Sequence, residues 1–379
     1  MSKRGIIIII CIILVMIGGF YIAGQVRTYS DYTVLKSTDR SYSSVATYET
    51  FNDNLIVYGS DGITCTDIED NLLWSQSYEL EQPVFAQCED YAVIAEKDGK
   101  EIYVFDTNGY VTQYDTTARI LQVDVAADGS VAVVTISGED YNILLYDIEG
   151  ELQAKGEVHL DNTGYPAAIA LSPNARLLAV SYVCIGEGSV NATLNFYNFG
   201  SVGDNEIDNI VSSYSYDNLV IAQLAFLNDK QLVAFGNGEI QIYSGAQKPA
   251  LSKQITLDNQ INSIFYGEEI FGVVYQNDTT AVAISGDSED LSTYTMVVYN
   301  ENGKRKYEHD FDLSYSDIRV LSNGEVCILG EFACEIVSRH GKTKFQYTFD
   351  ETLYGIIAQG NLQNYVFVLS DHTDQIRLK

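Results

Sequence analysis

Proline is scarce in this chain, tryptophan nearly absent and basic side chains few. Only 4 Pro and 1 Trp occur among 379 residues. Proline breaks strand ladders because it has no N–H to donate, so its rarity leaves long stretches free to pair. Histidine is equally thin. His159, His309, His340 and His372 stand far apart, without the spacing of metal ligands. All four are expected at the surface, His340 in a turn and His309 on a polar outer strand. No G-x-S-x-G, H-E-x-x-H or C-x-x-C occurs, so the usual hydrolase, metallopeptidase and redox signatures are missing.

The cysteines do not make a disulfide framework. Cys11 lies in an apolar run, and Cys65, Cys88, Cys184, Cys327 and Cys334 are an odd set that cannot all pair within one chain. One pair is suggestive. If Gly330-Glu331 forms a two-residue turn, Cys327 and Cys334 fall opposite each other, with Cα atoms about 5.5 Å apart and in disulfide range. The alternative, two half-buried thiols acting as small hydrophobes, fits the lack of a framework better.

Of 22 Lys and Arg, three (Lys3, Arg4 and Arg27) precede residue 30, whereas all 52 Asp and Glu follow it. The remainder is strongly acidic, which repels phosphate backbones and excludes nucleic acid as a partner. A solubilising surface is the plain reading of this charge, and binding of a cation or basic partner the sharper one.

What the chain does have begins with Gly5 to Gly24, twenty uncharged residues rich in isoleucine. At about 1.5 Å per residue they reach about 30 Å, the thickness of a bilayer's hydrocarbon core. Lys3 and Arg4 before the run place the N-terminus in the cytoplasm by the positive-inside rule. The run exceeds a signal-peptide core, and Ile22-Ala23-Gly24 is a poor cleavage site, so a retained single-pass helix is expected over a cleaved signal. The layout that follows is a cytoplasmic tail (1–4), a transmembrane helix (5–24), a linker (25–30) and an extracytoplasmic domain (31–379).

Residues 31–379 repeat. Each unit reads as short strands, then an aromatic or apolar residue, a polar turn and a glycine, as in Phe105-Asp106-Thr107-Asn108-Gly109, Tyr146-Asp147-Ile148-Glu149-Gly150 and Tyr299-Asn300-Glu301-Asn302-Gly303. The residue before the turn falls at Thr66, Phe105, Tyr146, Tyr197, Tyr243, Tyr299, Val337 and Ile376. Spacings near 40 residues made only of strands specify a β-propeller, all-β, with eight blades expected and seven as the alternative. In the third unit the strands are expected at 121–125, 131–136, 142–147 and from 151. The eighth unit supplies three strands and stops, so the segment 31–36 is expected to complete it and close the ring, which removes an exposed edge.

Two segments carry a family resemblance. Asp67-Ile68-Glu69-Asp70-Asn71-Leu72-Leu73-Trp74-Ser75 resembles a repeat of the quinoprotein-type propellers, and Ala170-Leu171-Ser172-Pro173-Asn174-Ala175-Arg176-Leu177-Leu178-Ala179-Val180 resembles the first hairpin of a WD-repeat (WD40-like) blade. The layout also resembles uncharacterised membrane-anchored propeller proteins of Gram-positive bacteria. The quinoprotein resemblance implies a quinone-dependent dehydrogenase with a tryptophan in nearly every blade and calcium beside the cofactor. The single Trp74 departs from that pattern, so no cofactor or catalytic residue carries over. Non-enzymatic members of that class act as scaffolds in envelope assembly, which is what the resemblance implies here.

Candidate sites reduce to insertions. Gly186-Glu187-Gly188-Ser189 and the stretch 277–293 both lie between second and third strands, on one face. Glu187, Asp278, Asp287, Glu289 and Asp290 are the candidate docking residues. Asp287, Glu289 and Asp290 also offer the hard oxygen ligands calcium takes, without the regular Asp-x-Asp-x-Asp spacing. A third insertion, 200–210, falls between third and fourth strands and faces the other side. Gly236-Asn237-Gly238 reads as a hairpin turn, since no helix follows it. The function expected is binding or scaffolding for an envelope protein or cell-wall polymer. The alternative is an extracytoplasmic enzyme acting on glycan or peptide through carboxylates in the propeller channel.

Overall fold

A computed structural model of the chain describes residues 27–39, 46–158, 164–186, 188–257, 259–277, 293–360 and 363–379. It is an eight-bladed β-propeller, each blade a four-stranded antiparallel sheet. The first, innermost strands of blades 1 to 8 are Thr47–Phe51, Pro83–Cys88, Arg119–Val125, Tyr165–Leu171, Ile221–Asn228, Ile261–Tyr266, Asp317–Val320 and Leu353–Gln359. Eight rather than seven blades form because each of the eight repeat units supplies the third strand of its own sheet, followed in blades 1 to 7 by a third–fourth turn. Blade 3 runs Arg119–Val125, Val131–Ser137, Asp140–Tyr146 and Leu152–Val158, close to the expected segments. Among the described residues the only helical turns are Gly203–Asn205 and Ile207–Asn209, both in the 200–210 insertion. No helix there is long and apolar enough to cross a membrane, and residues 5–24 lie outside them.

The repeated turn has a physical basis. Asp67, Asp147 and Asn300 each use Oδ1 to accept the backbone N–H groups two and four residues on, at 2.8–3.2 Å. This side-chain mimic of a turn is what Asp and Asn do best. The glycine that follows meets the neighbouring blade. A Cβ on Gly109 would lie 3.1 Å from Trp74, one on Gly150 2.5 Å from Tyr114, and one on Gly341 2.6 Å from Tyr307. Each of these aromatics is on the fourth strand of the preceding blade. The aromatic before the turn receives the same ring: Trp74 stacks on Phe105 at 5.3 Å and Tyr114 packs on Tyr146 at 5.0 Å. The repeat is thus a joint between blades, and Trp74 is a joint residue.

The last blade takes its outer strand from the other end of the chain. Tyr32–Asp39 pairs antiparallel with His372–Leu378. Tyr32 sets its ring against Tyr347 at 5.0 Å and Phe367 at 5.2 Å, with Phe345 and Phe349 beside them. Tyr29 is buried, its N–H donating to the Lys344 carbonyl at 2.7 Å. A wholly buried ionic group lies at this joint. Lys344 Nζ donates to Glu325 Oε1 at 2.6 Å and to the Tyr365 hydroxyl at 2.8 Å, and that hydroxyl donates to Glu325 Oε2.

Two expectations are corrected. Cys327 and Cys334 are not opposite: Cys327 faces Ile336 and Cys334 faces Leu329. Gly330 bonds Ala333, its N–H to the Ala333 carbonyl at 2.8 Å, so the turn is centred on Glu331-Phe332, one residue later. Gly330 is needed for another reason, because a Cβ there would lie 2.6 Å from the Ser314 carbonyl oxygen. Both cysteines are buried free thiols whose pKa values burial raises. His309 is not a surface residue. It is 8% exposed, and Nε2 lies 2.8 Å from Glu335 Oε1, tying the outer strand of blade 6 to blade 7.

Candidate functional site

Antiparallel order puts the first–second and third–fourth turns on one face and the second–third turns and blade connections on the other. On the first of these faces the inner strands end around a cavity of about 720 Å³. Its rim carries Asn52, Asp53, Glu89, Asp229 and Glu268. Neighbouring turns are bonded across blades. Asn52 Nδ2 donates to Asp90 Oδ1 at 2.8 Å, Ala127 N–H to the Pro173 carbonyl at 2.8 Å, and Asn174 N–H to Asp229 Oδ1 at 3.0 Å. Asn52 and Asp53 hold left-handed backbone, as Asn and Asp do readily, and Glu89 does so too, at φ 48°. A glutamate there costs about 1 kcal/mol or more and presents its carboxylate at the mouth.

Deeper in, the charges are already engaged. Arg319 from blade 7 reaches past blade 8 to blade 1. Its Nη1 and Nη2 grip the Glu49 carboxylate at 2.8 and 3.1 Å, and its Nε bonds Asp317. Burial pushes Glu49 above its ordinary pKa, opposed by Arg319. Asp124 is half-buried by exposure yet enclosed by protein. Burial raises it to about 6, against the N–H bonds it accepts from Leu171 at 2.7 Å and Val125 at 2.9 Å. Burial, with Asp124 next, pushes the Cys88 thiol up to about 12, which leaves it a poor nucleophile at neutral pH. Glu49 is held by a guanidinium and Asp124 by two backbone amides, so the two raised carboxylates are committed to structure.

A second cavity, about 880 Å³, adjoins on the same face between blades 5, 6 and 7 and shares Asn228 and Glu268 with the mouth. Lys304, Arg305, Lys306, Arg339 and His340 line it, with Glu268, Glu269 and Glu301. On so acidic a chain this gathering of bases is notable, and the sequence reading missed it. The signal was present: Lys304-Arg305-Lys306 and Arg339-His340-Gly341-Lys342 occupy the same turn in consecutive blades. The 200–210 insertion also stands on this face, where Lys248 of the next blade pairs with Glu206.

Glu187, Asp278, Asp287, Glu289 and Asp290 lie outside the described residues, as does His159. Their flanks are described. The second and third strands of blade 4, Leu177–Gly186 and Ser189–Asn198, are ten residues each and end with Ile185 72% exposed. Asn277 N–H bonds the Thr293 carbonyl at 2.9 Å, closing the base of the blade 6 insertion. The described flanks of both insertions are on the face opposite the mouth. Asn237-Gly238 is a hairpin turn between Gln231–Gly236 and Glu239–Ser244. His340 is an exposed turn residue, while His372 is half-buried at the start of a strand.

Comparison with known proteins bears on fold and family. The family described as "Family of unknown function (DUF5711)" matches residues 25–378. The fold is similar to that of BamB from Moraxella catarrhalis, at TM-score 0.51 and 13% identity, covering 92% of this chain and all of that one. It is also similar to the C-terminal WD40 domain of Sif2 (TM-score 0.59, 10% identity, 93% of this chain and 99% of that one) and to Sqt1 of Saccharomyces cerevisiae (0.53, 10%, 93% and 99%). At such identities the likeness is one of fold, the quinoprotein-like and WD40 architecture. No curated protein matches the chain in sequence.

Proposed function

The chain belongs to the family of unknown function DUF5711, and we propose that its propeller is a binding or scaffolding module, held by a single-pass N-terminal helix outside the cytoplasmic membrane. Its partner is another envelope protein or a cell-wall polymer. The observation that carries this reading is the mouth face. Its turns are bonded from blade to blade into a rigid platform, with an acidic rim beside a basic cleft, and its buried acids are tied down. Rigid frames bearing polar turns suit recognition.

The tether supports an orientation. Thr28 Oγ1 donates to the Thr343 carbonyl at 3.0 Å, where the outer strand of blade 7 begins at the mouth face. Four peptide steps separate Thr28 from Gly24, about 14 Å at full stretch. A helix over 5–24 would keep this edge, and the Lys342 next to it, near the bilayer. Short tethering also raises the effective concentration against other anchored molecules.

Proximity labelling in native membranes tests the proposal. Intact protein is compared with a Glu89→Lys, Glu268→Lys variant and with one lacking residues 278–292. A single envelope component that survives the deletion and is lost on charge reversal is expected. A partner lost only in the deletion would move docking to the opposite face, and no enriched component with intact protein would contradict the module.

A further inference from the structure

The closing blade carries a cluster that neither the mouth nor the cleft uses. His372 begins the third strand of blade 8 directly after the Ser370-Asp371 turn, and Glu351 comes from the connection between blades 7 and 8. Ligand atoms of Glu351, Asp371 and His372 lie within 4.8 Å of one another. The imidazole has two distinct sides. Nδ1 is 2.6 Å from Asp371 Oδ1 and 3.7 Å from Glu351 Oε2, whereas Nε2 faces Asp374 Oδ2 at 3.5 Å. Asp374 is 5% exposed and its Oδ1 has no hydrogen-bond partner. A buried carboxylate left so short of donors is costly unless a positive charge balances it.

This is the arrangement of a metal-binding histidine. Such a residue commonly gives its second ring N–H to a carboxylate, which fixes the tautomer and leaves the other nitrogen's lone pair for the cation. Here Nδ1 donates to Asp371 Oδ1 at 2.6 Å, a proton that a bound cation would displace, and the buried Asp374 Oδ2, 3.5 Å from Nε2, stands where it can hold the proton on that nitrogen instead. Ser370 Oγ donates to Glu351 Oε2 at 2.7 Å and orients that carboxylate as well. We propose that Glu351, Asp371 and Nδ1 of His372 bind one divalent transition-metal cation, with Asp374 as the group that orients the imidazole. One imidazole with two carboxylates suits zinc or manganese, whereas calcium takes a shell of oxygens. Three protein ligands leave room for water.

The place gives the site a consequence. Asp39, at the end of the ring-closing strand, lies opposite His372 in the register. Bound metal would clasp the blade 7–8 connection to the hairpin on which the N-terminal strand is laid. The proposal does not depend on what the mouth face binds.

The test is calorimetric titration of full-length, detergent-solubilised protein, stripped with chelator, with Zn²⁺, Mn²⁺ and Ca²⁺ separately, alongside the thermal unfolding midpoint. One saturable Zn²⁺ site per chain is expected, with a raised midpoint. His372→Ala should abolish it, Glu351→Gln should weaken it at least tenfold, and Asp374→Asn should weaken it about 10- to 100-fold at unchanged stoichiometry. Glu351 is partly exposed, so its variant keeps the test open if another fails to fold. Absence of a saturable site, binding that survives both His372→Ala and Glu351→Gln, or Ca²⁺ binding tighter than Zn²⁺ would overturn the assignment.

Discussion

Gly150 has φ +83°, and a Cβ there would also meet the Tyr114 ring of the preceding blade at 2.5 Å, whereas Gly138 has φ +66° and open space around it. Backbone strain alone costs about 1–2 kcal/mol for a non-glycine residue. Gly138→Ala is expected to show only that, and Gly150→Ala about 1–3 kcal/mol more from the crowded joint, read as the difference in urea midpoints. The buried ionic group gives a sharper contrast. Lys344→Met strands Glu325 and should cost about 3–5 kcal/mol, while Glu325→Leu, Lys344→Met and Tyr365→Phe together should recover most of that. Asp124 sets a pH dependence. Its folded pKa of about 6 exceeds the ordinary 3.9, so the folded state holds the proton more tightly. Stability from this group is therefore greatest at low pH and falls as pH rises from about 4 to about 6, by at most about 3 kcal/mol and less where channel water reaches it. Asp124→Asn should flatten that part of the profile in urea titrations from pH 4 to 7.

At the scale of strands and turns, the joint between blades made the fold legible. An aromatic, a polar turn and a glycine recur because each must meet the neighbouring blade, so counting them counted blades. Register was less legible. Gly330 suggested a turn by its residue type, yet it serves a close approach to Ser314, in the connection that leads into the same blade, and the pairing of Cys327 moved with it. His309 misled for the same reason: its neighbours in sequence are polar, and Glu335, which buries it, is 26 residues away. The basic cleft needed the turns of two blades to be superposed before its charges stood together. Ring closure is the element whose loss should tell most. A chain lacking residues 28–39 exposes the edge of His372–Leu378 and the aromatic bed of Tyr32. It should elute as aggregates by light scattering, whereas a point change in one joint should leave a monodisperse ring.

For the whole molecule, charge distinguishes the two faces, and the proposed tether would give them different surroundings. The mouth face joins the acidic rim, the basic cleft and the edge where Thr28 is held against Thr343; the opposite face carries the strand ends that flank the insertions of blades 4 and 6. If residues 5–24 anchor the chain as proposed, the platform would face molecules close to the membrane. Site-specific photocrosslinking in native membranes tests this most directly, with the crosslinker placed at Glu268, shared by mouth and cleft, or at Ile185 on the opposite face. A discrete adduct of one envelope component from Glu268, absent from Ile185, is the predicted result. Adducts from Ile185 alone, or from neither position, would contradict the assignment of the mouth face as the docking surface.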